Sequence, residues 1–226
     1  MSTQRQPGRS RLRPAGPMLV TRLRAAAVRP VTVLFADLRG YTGMAERLPA
    51  LKIVPLLDEF FCTLAAAAKA QGGTVFHTAG DEIMVGFGVD DASGTGSRQA
   101  LAAGHAMLQG FAPVAARWRS ALAIDAGIGV GLHFGEVAIG LLGPPGHRAM
   151  TLIGDTVNVA ARLCNRARAG EVLFSCTVAA ELKRCAAPPV APMGRMPFLQ
   201  LPQFELRGRR GPIDIWCVPA SERLAL

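Results

Sequence analysis

The sequence predicts an α+β fold, a mixed and largely antiparallel sheet covered by helices. Three observations predict it. Short apolar runs of strand character alternate with longer stretches of helical periodicity. Several of those runs come as close pairs that read as hairpins. No internal repeat is visible. The organising stretch is Val31–Gly40, VTVLFADLRG. Its apolar part reads as a strand buried on both faces. That strand runs into Asp37, and a buried carboxylate needs a partner because an unpaired buried charge is costly. Arg39 is one candidate. The other is a cation held at the strand end, with the N–H groups of a Tyr41-Thr42-Gly43 turn left for an anion.

The elements follow in order. A helix is expected from about Pro49 to Gln71, because Leu56, Leu57, Phe60, Phe61 and Leu64 recur at three- and four-residue steps. Pro49 suits its first turn, and Pro55 predicts a kink or restart. Thr74–Phe76 and Ile83–Phe87 read as strands of a hairpin whose tip carries Asp81. A second helix is expected from about Arg98 to Trp118, capped by Ser97 and broken near Pro113. Ile124–Gly131 and Glu136–Leu142 read as a strand pair around His133-Phe134-Gly135, with His133 at a strand end. Ala149–Ile153 reads as a strand, Thr156–Ala167 as a helix, Glu171–Ser175 as a strand and Thr177–Arg184 as a short helix. The five prolines of Ala186–Pro202 predict a surface loop. Strands Phe204–Leu206 and Ile213–Val218 close the chain.

Composition narrows the class. Of 226 residues, 50% are apolar and 18% charged, which fits a globular chain with a sizeable core. No apolar run has the length of a membrane span and no secretory pattern opens the sequence, so a cytoplasmic location is expected. Five cysteines without a CxxC pair read as reduced core thiols. The formal charge of +9 is concentrated in Arg5, Arg9, Arg11, Arg13, Arg22, Arg24 and Arg29, all ahead of the first acidic residue. Residues 1–29 therefore read as a solvated basic tail, shorter if Met18 is the start. Contact with anionic lipid is the sharper reading. Nucleic acid is not expected, because no aromatic residue interleaves with the arginines. Residues 30–219 form the expected domain and 220–226 a second tail.

Four features can carry chemistry. Asp37 and Asp81 converge if the hairpin pairs with the first strand, and two carboxylates over a phosphate-accepting turn suit one or two divalent ions. The bland alternative pairs Asp37 with Arg39 and leaves Asp81 capping a turn. Asn158 and Arg162, four apart on one helix face, can hold a sugar and a phosphate oxygen together, or form a solvated polar stripe. Arg207 lies in a glycine-flanked turn.

FADLRGYTGMAERL, GGTV…GDEIMVGF, GVGLHFGEVAIG, LIGDTVNVAARL, AGEVLFS and FELRGRRGPIDIW, in that order, resemble the class III nucleotidyl cyclase catalytic domain. The resemblance runs from about Val31 to Val218. It implies a ferredoxin-like core and a head-to-tail homodimer with two active sites at its interface. It implies that Asp37 and Asp81 bind two Mg2+ or Mn2+ ions, helped by the Leu38 carbonyl. The turn through Gly40, Tyr41 and Thr42 would hold the β- and γ-phosphates. Asn158 would orient the ribose, Arg162 would stabilise charge on the α-phosphate, and Arg207 would take the place of the family's triphosphate-binding lysine. The base-reading positions fall on His77, where adenylate cyclases carry lysine and guanylate cyclases glutamate, and on Thr151. A neutral imidazole can donate to adenine N1 but cannot accept two guanine protons. The expected function is therefore an adenylate cyclase making cyclic AMP and pyrophosphate from ATP. A guanylate or mixed cyclase, with GTP as substrate, and a non-catalytic nucleotide-binding module are the alternatives.

Overall fold

The computed structural model describes residues 26–90, 95–184, 198–205 and 211–218. Among them are eight strands and five helices. In chain order these are β1 (Ala27–Arg39), α1 (Tyr41–Arg47), α2 (Ala50–Ala70), β2 (Thr74–Ala79), β3 (Glu82–Phe87), α3 (Gly96–Leu122) and β4 (Gly127–Leu142). Then come β5 (Ala149–Ile153), α4 (Asp155–Arg166), β6 (Val172–Ser175), α5 (Cys176–Arg184), β7 (Leu199–Phe204) and β8 (Ile213–Val218). They form one sheet in the order β2-β3-β1-β4-β6-β8-β7, with β5 paired to β4. Only β4 and β6 run parallel, so the expected mixed, largely antiparallel α+β sheet is what forms. β1–α1α2–β2–β3–α3–β4, with β1 between β3 and β4, is a split β-α-β unit.

β1 is buried on both faces because helices cover both sides of the sheet. Leu34, Ala36 and Leu38 point into a core with Phe60 and Leu64 of α2 and Met107 and Phe111 of α3. Val31, Val33 and Phe35 point the other way, toward Ala160 and Cys164 of α4 and Met150 and Leu152 of β5. Asp37 and Arg39 continue that second row, so β1 delivers both to the α4 face.

Several local expectations are corrected. The segment read as two strands around His133 is one strand, β4, and His133 sits within it opposite Val33. Its glycines do not turn the chain; they let a helix approach. A Cβ on Gly131 would lie 2.1 Å from the backbone nitrogen of Cys164. Pro55 and Pro113 lie inside α2 and α3, which run through them without a break. The Tyr41-Thr42-Gly43 turn is the first turn of α1. Ser97 lies inside α3 rather than capping it, and its hydroxyl bonds that of Thr32 across 2.8 Å. β7 extends back to Leu199, with Pro202 at an irregularity in its pairing with β8, where a missing N–H is tolerated. Cys62 is exposed, against its expected core role, while Cys164 and Cys217 are buried.

Candidate active site

The site begins where β1 leaves the sheet. Asp37 pairs in register with Glu82 of β3, and the Leu38 N–H donates to the Asp81 carbonyl across 3.1 Å. The β2–β3 hairpin is closed by Gly80 and Asp81 alone, with Gly80 at φ 57°. A tight turn thus fixes Asp81 beside the end of β1. Burial, and then the nearby Asp81, hold the Asp37 carboxyl above the usual carboxylate range, while Arg39 pulls it down. Asp81 acts on Asp37 both as a charge and as a hydrogen-bonding side chain, so the two expected carboxylates do meet.

One residue belongs to this cluster that the sequence reading did not use in it. Glu82 lies opposite Asp37, and burial, Asp37 and Asp81 push its carboxyl up. The signal was available: it follows Asp81 directly and opens a strand that pairs with β1. Arg39 does pair with Asp37, as the bland alternative had it. Its other nitrogens reach the end of α4: Nε donates to the Ala167 carbonyl at 3.0 Å and Nη2 to the Cys164 carbonyl at 2.5 Å. Asp37 therefore has both a guanidinium partner and a second carboxylate beside it.

Beyond Arg39 the chain turns sharply. Gly40 has φ 91°, and a Cβ there would lie 2.5 Å from the Asp125 carbonyl, so this position requires glycine. α1 starts immediately after it. The opening N–H groups of a helix have no intrahelical acceptor, so those of Tyr41 and Thr42 are available to an anion.

The remaining expected residues lie elsewhere on the same chain. Asn158 is exposed and Arg162 half-buried on α4, one turn apart. His77 is exposed near the end of β2, just past a bulge at Phe76. Thr151 is half-buried in the middle of β5. The two strands approach over Gly86, where a Cβ would lie 2.8 Å from the Phe76 ring and 3.2 Å from Leu152. Arg207 falls outside the described residues. His133 is buried, its Nδ1 2.7 Å from the Ser175 hydroxyl, in a network that reaches Thr177 and the Phe134 carbonyl. It holds β4, β6 and α5 together.

The donor set suits a hard divalent ion in part. Among the described residues no three His, Cys, Asp or Glu side chains form a closed metal cage. Two close carboxylates with a strand-end carbonyl are nevertheless what Mg2+ or Mn2+ takes from a protein when phosphate oxygens supply the other ligands.

Comparison with known proteins agrees with this architecture. The family model for the adenylate and guanylate cyclase catalytic domain matches residues 23–218. The chain belongs to that family, the class III cyclases. It is 31% identical over 140 residues to an adenylate cyclase of Anabaena cylindrica, covering 62% of this chain and 28% of that protein. It is 26% identical over 195 residues to adenylate cyclase 1 of Rhizobium meliloti, covering 85% of this chain and 28% of that protein. The chain thus spans about a quarter of the length of these curated relatives. Among solved structures, the adenylyl cyclase CyaB from P. aeruginosa superposes with a TM-score of 0.78 at 27% identity, over 88% of this chain and 98% of that one. The guanylyl cyclase Cya2 superposes with 0.73 at 27% identity, over 88% and 99%. Among the described residues no helix is long and apolar enough to cross a membrane.

Proposed function

We propose that the chain is the catalytic domain of an adenylate cyclase, converting ATP to 3′,5′-cyclic AMP and pyrophosphate at composite sites in a homodimer. The observation that carries this reading is the meeting of Asp37 and Asp81 beside the Gly40–α1 turn. Acidic oxygens and unsatisfied backbone N–H groups side by side suit a triphosphate with its metal ions. Asp37, Asp81 and the Leu38 carbonyl would hold two divalent ions, which when bound lower the pKa of the ribose 3′-hydroxyl and neutralise the leaving pyrophosphate.

The other residues take roles that their chemistry allows. The 3′-hydroxyl of the substrate attacks its own α-phosphorus, so no protein nucleophile is needed. Asn158 orients the ribose through its amide. Arg162 stabilises the charge that grows on the α-phosphate, and Arg207 holds the triphosphate. Asn158 lies on the outer side of α4, exposed in the single chain, which supports its use by a second copy. His77, as an N–H donor toward adenine N1, favours ATP, with Thr151 as its partner at the base. The His77 imidazole in place of the lysine of adenylate cyclases is also why GTP stays the substrate to test against.

The test is turnover of ATP and GTP by the purified chain with Mn2+, measuring cyclic nucleotide and pyrophosphate together. Cyclic AMP in excess, lost in Asp81→Ala with the fold retained by circular dichroism, is expected. Equal turnover in Asp81→Ala overturns the metal assignment. Cyclic GMP in excess overturns the choice of base.

A further inference from the structure

Arg39 makes contacts to Ala167 and Cys164 that no role above employs. Its guanidinium lies flat on the sheet where β4 offers no side chain: a Cβ on Gly129 would be 2.7 Å from Nη2 and 2.8 Å from Nε. Nε and Nη2 are spent on the carbonyls of Ala167, just past the end of α4, and of Cys164 in its last turn, which also accepts the Ala167 N–H at 3.0 Å. Only Nη1 turns to Asp37. Around it are three carboxylates, Asp37, Asp81 and Glu82. Glu82 pairs in register with Asp37, and Asp81 closes the hairpin that brings it there. The guanidinium is thus anchored by two neutral carbonyls in a slot shaped for it, with one edge free to serve or release the carboxylate.

We propose that Arg39 is a positioning residue that serves as the built-in counter-cation of the metal site. It occupies Asp37 until a divalent ion takes its place, and it keeps its hold on α4 throughout. This rests on the metal reading of Asp37 given above. A fixed positive charge beside the site weakens metal binding, and its planar fork cannot be reproduced by lysine.

The test is Mn2+ alone, titrated into the metal-free protein and followed by electron paramagnetic resonance. Arg39→Gln removes the competing charge and is expected to bind Mn2+ about tenfold more tightly, since a close charge pair is worth at least that in a partly buried site. Arg39→Lys keeps the charge and is expected to stay within about threefold of wild type, while losing melting temperature in chelator through the lost guanidinium bonds to the Ala167 and Cys164 carbonyls. In the wild-type protein, saturation with Mg2+ is expected to shift the Arg39 side-chain nitrogen resonances, a readout that needs no variant to fold. Affinity in Arg39→Gln equal to or weaker than wild type, or unmoved Arg39 resonances, overturns the proposal. Asp37→Asn separates the two layers: if it binds Mn2+ as wild type does, the metal reading falls and this proposal with it. If it loses Mn2+ while Arg39→Gln is unchanged, only the role of Arg39 falls.

Discussion

Gly131→Ala tests how closely activity depends on the seating of α4. The helix rests on β4 with no side chain between them: a Cβ at position 131 would lie 2.1 Å from the Cys164 nitrogen and 2.5 Å from the Ala160 carbonyl oxygen. Non-bonded heavy atoms settle about 3.5 Å apart, so α4 must retreat by about 1 Å. Backbone atoms cannot rotate aside as a side-chain tip can. Overpacking of this kind costs about 3 kcal/mol, the upper part of its usual range. For a chain of this size that is a fall of about 6–12 °C in melting temperature. Asn158 and Arg162 ride on the same helix, and a displacement of about 1 Å can cost about a hundredfold in turnover. Differential scanning fluorimetry and a cyclic AMP assay below the melting transition measure both. Gly110→Ala is the control, because the nearest atom to its Cβ is Thr63 Cγ2 at an ordinary 3.5 Å. That change, inside α3, is expected to be neutral or to stabilise by up to about 1 kcal/mol. Wild-type stability and turnover in Gly131→Ala would refute the account of how β4 positions α4.

Two further outcomes follow from single residues. His77→Lys is expected to raise the ratio of ATP to GTP turnover and His77→Glu to lower it, measured as kcat/KM for each nucleotide; an unchanged ratio in both variants removes His77 from the base site. His105, buried in α3 with neither ring nitrogen hydrogen-bonded, has its pKa lowered from 6.5 by burial. The unfolded chain then binds this proton more readily than the folded one, so the contribution is intact above pH 6.5 and is lost as pH falls below it. Denaturant melts from pH 7.5 to 5 should show a shallower loss of stability in His105→Leu than in wild type, and equal slopes would contradict the assignment.

Much of the site was legible because its signals are local. An apolar run that ends in Asp37, and a glycine next to an aspartate between two strands, state their own geometry through burial cost and turn chemistry. The carboxylates therefore meet where the hairpin reading brought them. β4 was misread because glycine carries two meanings. At Gly80 it turns the chain, whereas at Gly129 and Gly131 it leaves room for a guanidinium and a helix, and only the packing partner distinguishes these. Pro55 and Pro113 misled in the same way, since burial of the rest of each helix offsets one lost hydrogen bond. Arg39 could be paired with Asp37 from spacing, but its contacts to Cys164 and Ala167, over 120 positions away, depend on how α4 crosses the sheet.

The central claim is that each site is assembled from two chains, Asp37 and Asp81 from one and Asn158, Arg162 and Arg207 from the other. Mixing two inactive homodimers, Asp37→Ala and Arg162→Ala, measures this directly. In a mixed dimer one site collects both lesions and the other is intact. With random exchange, half the dimers are mixed and each carries one good site of two, so activity should return to about a quarter of wild type by that symmetry. Exchange is verified by pull-down of differently tagged chains. Activity that stays at background after exchange has been shown would mean that the site is completed within one chain.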